Sequence, residues 1–424
     1  MTNTNLYLFK RANILKLEDL ILENEYQIYG RVVRKRNHPG VVFLDLDSNI
    51  QIAFRNFNLV EKCKLGDLIY VTGMIENSSS GLKTLFVSNL DFYIPCGVEI
   101  QKSYYQNKSD LYYLTDNSYA EKIKLKSKFI NAIREFLLER NYFETITPVL
   151  QPFQSGANAH GFLTYNNYLE KNMYLRIAME CYLKRLMVRG IDNLFEIGTC
   201  FRNEDASSNY NYEFTMLEAY TSNRRCDFTI NIIKELIIFL CQKFQLEIPS
   251  FNEYDLCTEV SIYLNIPDVK KVTTINEMSE LFKEDLSEHA TSVGECIDYI
   301  FSKKIAHTKT GFYFIKNFPK EITPLAGICE DDDYCSESAD FMFNDIELGT
   351  LYTEQTDPKI QRDAFQRQPT ENIDIAFLDE LELGLQPCSG FGLGIERMLK
   401  VFFQTAQIKD FISFSFSAID FPKK

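Results

Sequence analysis

"FEIGTCFRNEDASSNYNYEFTMLEAY", residues 195–220, sets a strand-like apolar run on each side of a polar stretch. Between Arg202 and Phe214 the stretch contains no second basic residue. Arg202 offers a fixed cation with a bidentate fork, suited to a carboxylate or phosphate oxygen. Glu204, two residues on, is expected on the same strand face, where it can accept from an exocyclic amine. Phe214 offers a flat apolar surface on which a base can stack. Glu218 and Tyr220 share one face of the second run, and a carboxylate there favours a cationic ligand group. On spacing alone the same residues also read as a two-strand hairpin with a surface ion pair.

A second cluster, "SGFGLGIERMLKVFF" (389–403), alternates Gly390, Gly392 and Gly394 along a strand. Glycine weakens a strand unless something approaches its backbone closely. Arg397 then opens a helix, so a planar base with a phosphate beside it fits; a glycine bulge beside a salt-bridged arginine is the plain alternative. Between the clusters, "ADFMFNDIELGTLYTEQTDP" (339–358) places Asp340 and Glu347 on the two sides of an expected hairpin. They are hard-oxygen ligands suited to Mg²⁺ beside a nucleotide, or else solvated charges. Glu354 is a further acid on the strand that follows.

The 424 residues predict two or three domains, and 45% hydrophobic with 25% charged residues is ordinary for a globular chain. A formal charge of −14 argues against general coating of polyanions, though not against a locally basic nucleic-acid site. Eleven cysteines without a C-x-x-C pair, and only four histidines, show no zinc-ligand spacing. The thiols are expected reduced in a cytoplasmic protein. "LIIFLC" (236–241) is far too short to span a bilayer, and the opening "MTNTNLYLFKR" lacks an export-signal core.

From Tyr26 to about Pro95, five short β-branched and aromatic runs separated by "NHPG", "DSN" and "ENSSSG" predict a small barrel of the OB type, with a β-sandwich fragment as the alternative. "CGVEIQKSYYQNKSDLYYLTDNSY" (96–119) is the expected linker, which gives domains at 1–110 and 118–424. A helix follows over 120–142, then "FETITPVLQP" (143–152), a strand interrupted by Pro148 as at a sheet edge or interface. No Gly-rich phosphate loop of either common kind is present, so an ATP user of this sequence must hold phosphate with side-chain cations and metal. Residues 250–312 read as a helical insert without assignable chemistry.

Taken together, these phrases resemble the class II aminoacyl-tRNA synthetases, most closely the lysyl branch, over nearly the whole chain. "FETITPVLQP", "FRNE…EFTMLEAY" and "GFGLGIERM" look like the three class-defining motifs. "SGANAHGF", "MYLRIAMECYLKRLMVRGIDNLFEIG", "FPKEITPLA" and "LGTLYTEQTDP" follow the lysyl branch almost phrase by phrase. The resemblance implies an α+β fold: an OB-fold barrel that reads an anticodon, then a catalytic antiparallel sheet flanked by helices. It implies ATP and Mg²⁺, lysine or a lysine-like amino acid, tRNA as acceptor, and a homodimer.

Carried over position by position, Arg202 would bind the α-phosphate and Glu204 the adenine amine. Phe214 and Arg397 would sandwich the ring, Gly394 would lie against the nucleotide, and Asp340 and Glu347 would hold Mg²⁺. Gly156 and Glu180 would hold the α-amino group, and Glu218, Tyr220 and Glu354 would surround the ε-ammonium. Thr350 and Tyr352 stand where the family has Asn and Phe. In the barrel, Arg36, Phe43 and Gln51 would contact RNA, and Asn89 stands where an acid is expected. Asn209 and Tyr210 replace the Arg-His pair that embraces the ATP tail, a loss of about 1.5–3 kcal/mol unless another cation substitutes. His160 and Gly161 replace an Arg-Pro pair. Two other readings compete: a paralogue that adenylates lysine or an analogue for a protein or metabolite acceptor, and a non-catalytic regulator.

Overall fold

The runs between Glu25 and Ile94 close into a barrel because each alternates inward apolar and outward polar residues. The computed structural model describes residues 19–97, 117–157, 159–367 and 374–415. The N-terminal stretch read for export signals, most of the expected linker (98–116) and the expected barrel limit at 110 lie outside the described residues. Five strands, β1 (Glu25–His38), β2 (Val41–Leu46), β3 (Gln51–Phe54), β4 (Leu68–Asn77) and β5 (Lys83–Ile94), form a closed barrel in the order β1-β2-β3-β5-β4. Its interior is Val32, Leu44, Ile52, Val71 and Leu85, all fully buried. Each such side chain contributes roughly 1.5–3 kcal/mol by leaving water. Gly40 makes the β1–β2 turn at φ 83°, a left-handed backbone open to glycine. The barrel alternative holds and the sandwich one does not.

The second unit is an eight-stranded sheet. Its strands are β6 (Phe143–Glu144), β10 (Asn193–Phe201), β11 (Glu213–Ser222), β12 (Phe251–Asp255), β13 (Phe312–Lys316), β14 (Ser338–Phe343), β15 (Ile346–Thr353) and β16 (Cys388–Gly394). They run in the order β12-β13-β14-β15-β16-β11-β10-β6. The six inner strands are mutually antiparallel, and the two edge strands pair in parallel. A three-stranded sheet of β7 (Leu150–Gln151), β8 (Leu163–Asn166) and β9 (Lys171–Leu175) lies apart from it. Pro148 thus separates two short strand pieces, β6 and β7, as its missing N–H requires.

Three helices cover one face of the large sheet: Asn117–Leu138, Cys226–Phe244 and Ile395–Phe402. Ile233, Leu236, Ile237 and Leu240 supply the stripe of the second, spaced three, four and seven residues apart. They pack with Phe129, Ile133, Phe195, Leu217, Phe341 and Leu393 in one core. The opposite face of the same strands is free to carry polar groups.

Two expectations need correction. The strand expected to carry Arg202 and Glu204 ends at Phe201, so both residues sit in the following loop and share no strand face. The insert is not purely helical: it opens with β12, parallel to β13 at the sheet edge, and only then gives helices Leu256–Leu264, Ile275–Phe282 and Val293–Ile300. "FNEYD" was illegible as a strand because its edge position leaves much of it half-buried or exposed, without clean alternation. Among the described residues no helix is long and apolar enough to cross a membrane.

Candidate active site

Strand β11 decides which side chains meet. Leu217 and Ala219 enter the helical core, so Glu218 and Tyr220 must face the other way. Antiparallel register then builds two rows across that face. One runs Glu196–Glu218–Gly392–Thr350–Asp340, and its neighbour runs Leu194–Tyr220–Gly390–Tyr352–Ser338. The alternating glycines of β16 therefore sit at the centre of each row. At Gly390 a Cβ would collide with the Tyr220 ring and stand 2.8 Å from Glu354 Oε1, and at Gly392 it would occupy space 3.6 Å from Glu218 Cγ. Gly394 opposes Met216 and N-caps the helix that carries Arg397.

These rows floor a cavity of about 790 Å³, and every residue expected to bind ATP, metal or amino acid lines it.

At the enclosed end, Glu180, Glu218 and Glu354 are all buried. A residue the sequence reading missed, Lys184, is fully buried among them. Its Nζ donates to Glu180 Oε1 at 2.6 Å and forms an ion pair with Glu354. It also lies 5.8 Å from the Tyr352 ring and 5.9 Å from that of Phe377. Burial opposes its charge, but Glu180 and Glu354 outweigh burial and hold the ammonium well above the ordinary lysine range. Tyr352 Oη donates to Glu180 Oε2 at 2.6 Å. Among the described residues Glu218 has only neutral donors, the Met179 amide at 3.0 Å and the Tyr220 hydroxyl at 3.3 Å. Burial first, then the Glu180 and Glu196 carboxylates, push its carboxyl up to about 8 against the Met179 bond. Three acids thus face one internal cation. The helical spacing Glu180–Lys184 was the available signal, but nothing local reveals that Glu354 closes the triad.

At the open end, the Arg202 guanidinium stands 5.2 Å from the centroid of Phe214, and its Nε is buried without a hydrogen-bond partner. Among the described residues Arg202 has no carboxylate partner, so the surface ion pair of the hairpin alternative does not form there. Glu204 is exposed and accepts from the His160 amide at 3.2 Å. Arg397 lies 4.8 Å from the Tyr210 ring centroid and does pair with Glu347, donating to its carbonyl at 2.8 Å and its Oε1 at 3.2 Å. Asp340 is held well above the usual carboxylate range by burial, then by Glu347 and Asp298. Asp298 itself, raised to about 6 by burial and Glu347, comes from the insert to which the sequence assigned no chemistry. Among the described residues no set of three metal-ligating side chains stands together. Two carboxylates with phosphate oxygens suffice for Mg²⁺.

The tRNA synthetases class II (D, K and N) family model matches residues 102–418. The chain belongs to this family, in its lysyl branch. It is 30% identical to lysine–tRNA ligase 1 of Mycoplasmopsis pulmonis (strain UAB CTIP), over 94% of this chain and 88% of that protein. It is also 30% identical to the lysine–tRNA ligase of Mesomycoplasma hyopneumoniae (strain J), over 94% and 89%, and 29% identical to that of Latilactobacillus sakei, over 96% and 89%.

In this class II synthetase the barrel residues form their own group. Arg36 pairs across strands with Phe43, 6.0 Å from its ring centroid, and bonds Asp45 at 2.5 Å. Gln51 also reaches Asp45 at 3.4 Å and accepts from Thr84 at 2.9 Å. Beside Asn89 stands an acid after all: Asn89 Nδ2 donates to Asp91 at 2.5 Å.

Proposed function

We propose that the protein activates lysine with ATP to lysyl-adenylate and transfers the lysyl group to tRNA. The observation that carries this reading is the enclosed end of the cavity. Its acids outnumber its one internal cation, and Glu218 has no cationic partner among the described residues. An ammonium on a long apolar stem satisfies Glu218, whereas a neutral amino acid leaves it buried and unpaired. Gly156, at φ 91°, where a Cβ would stand 3.0 Å from Ala178 Cβ and 3.5 Å from Glu180 Cβ, supports a backbone contact to the α-amino group.

The lysine carboxylate oxygen attacks the α-phosphorus, and the bond to pyrophosphate breaks. Arg202, with its unpartnered buried Nε, offsets charge at the α-phosphate. Phe214 and Arg397 bracket the adenine, and Glu204 accepts from its amine. Asp340 and Glu347 would hold Mg²⁺, which supplies charge neutralisation on the phosphates. Asp340, raised by burial and then by Glu347 and Asp298, and Asp298, raised by burial and then by Glu347 and Glu295, have the electrostatics of a cation site. A ribose hydroxyl of the tRNA end then attacks the acyl carbonyl and AMP leaves. Catalysis is positioning and charge neutralisation.

The half-buried Arg36–Phe43 pair on the barrel supports RNA contact by stacking and charge. A homodimer is supported by apolar side chains around Pro148, with Phe143 66% and Ile146 88% exposed; a monomer by sedimentation at micromolar concentration contradicts it. All eleven cysteines are free thiols, as suits the cytoplasm. Lysine-dependent ATP–pyrophosphate exchange tests activation, and no exchange with any standard amino acid or lysine analogue sinks it. Transfer of radiolabelled lysine to total tRNA tests the acceptor; exchange without transfer assigns a different acceptor.

A further inference from the structure

The loop joining β10 to β11 lines the cavity with Asn209, Tyr210 and Asn211 but has no Lys, Arg or His between 203 and 213. Beside Arg202 and Arg367, which also line the cavity, the helix Ile395–Phe402 brings two cations to this loop: Arg397, a lining residue, and Lys400, which stands behind the lining. Arg397 and Lys400 lie three residues apart and so project from one helical face. Both converge on Asn209. Arg397 Nε donates to its carbonyl at 3.3 Å, and Lys400 Nζ donates to its Oδ1 at 2.5 Å. Arg397 is shared with Glu347 at 3.2 Å, so its charge is already divided.

Lys400 differs from it. It is half-buried, and among the described residues no carboxylate pairs with it; its partner is a neutral amide. A partly desolvated ammonium without a counter-ion is costly until an anion arrives. The Lys400 bond also fixes the Asn209 amide with its oxygen toward the ammonium, which turns the two Nδ2 hydrogens away as donors. A positive charge and an oriented amide therefore stand together behind a loop that borders the cavity.

We infer that Lys400, acting with Asn209, contacts the terminal phosphates of ATP and the pyrophosphate product. This rests on the proposed nucleotide site, deepens it, and assigns the pair no part in holding adenine, ribose or the α-phosphate. AMP therefore serves as the internal control, because it carries everything but the terminal phosphates.

The test is calorimetric binding of ATP, inorganic pyrophosphate and AMP to the full chain and to Lys400→Met, Lys400→Arg and Asn209→Asp. A charge-assisted hydrogen bond contributes enough that Lys400→Met should weaken ATP and pyrophosphate by roughly ten- to hundred-fold. AMP binding should stay within about twofold, and Lys400→Arg should recover most of the loss. Asn209→Asp pairs the ammonium with a carboxylate and should reproduce the loss, which keeps the test intact if Lys400→Met does not fold. Unchanged ATP and pyrophosphate affinity in the folded variants overturns the inference, as does an equal loss of AMP. Variants that show the ATP and pyrophosphate loss, beside a wild type without lysine-dependent exchange, support this contact while defeating the activation reading.

Discussion

Lysine binding should expel a proton from Glu218. Its carboxyl, pushed up to about 8 by burial and by Glu180 and Glu196, is mostly protonated in the ligand-free protein at neutral pH. An arriving ammonium needs the carboxylate. At pH 7, one unit below that value, about 0.9 of a proton should leave per lysine bound, and affinity should be about tenfold weaker than for the fully ionised carboxylate, or roughly 1.4 kcal/mol. Lysine's own ammoniums stay charged at pH 7 and add nothing. The assay is calorimetric titration of lysine in phosphate and in Tris at pH 7; the dependence of heat on buffer ionisation enthalpy counts the protons. Glu218→Gln should bring that dependence close to zero and weaken lysine binding. A buffer-independent heat in the wild type, or the same proton count in Glu218→Gln, would refute the assignment of Glu218 to the ammonium. The same raised carboxyl has a consequence for the empty protein. Between about 4.5 and 8 the folded state holds a proton that the unfolded chain has released, so this group's stabilisation is lost as pH rises through that window.

Two other perturbations probe the same end of the cavity. Lys184→Met removes the one cation that pairs both Glu180 and Glu354, and leaving those acids buried should cost about 3–5 kcal/mol in a urea titration. A loss below about 1 kcal/mol contradicts the pairing of both acids by Lys184. Gly390→Ala places a methyl against the Tyr220 ring and Glu354, so lysine binding should weaken at least roughly tenfold while ATP binding changes little. Equal effects on both ligands contradict the placement of Gly390 under the amino acid rather than the nucleotide.

Much of this molecule is local, and what is local can be read along the chain. The barrel follows from strands such as "VVFLDL", whose alternation puts Leu44 and Leu46 inside whatever else the chain does. The side-by-side placement of Glu218 and Tyr220, and the glycine alternation of β16, follow from the two-residue period of a strand. The motif residues of the site were likewise legible, because each carries its chemistry in its type and spacing. Tertiary structure alone decided which charges meet. Lys184 finds Glu354, Arg397 finds Glu347, and Asp298 approaches Asp340 through sheet register and the packing of an insert. Ionic partnership depends on distance and burial in three dimensions, and no periodicity in the chain encodes either. The sequence therefore determined which groups are available for chemistry, and folding decided which are already neutralised by the protein and which are left for a ligand.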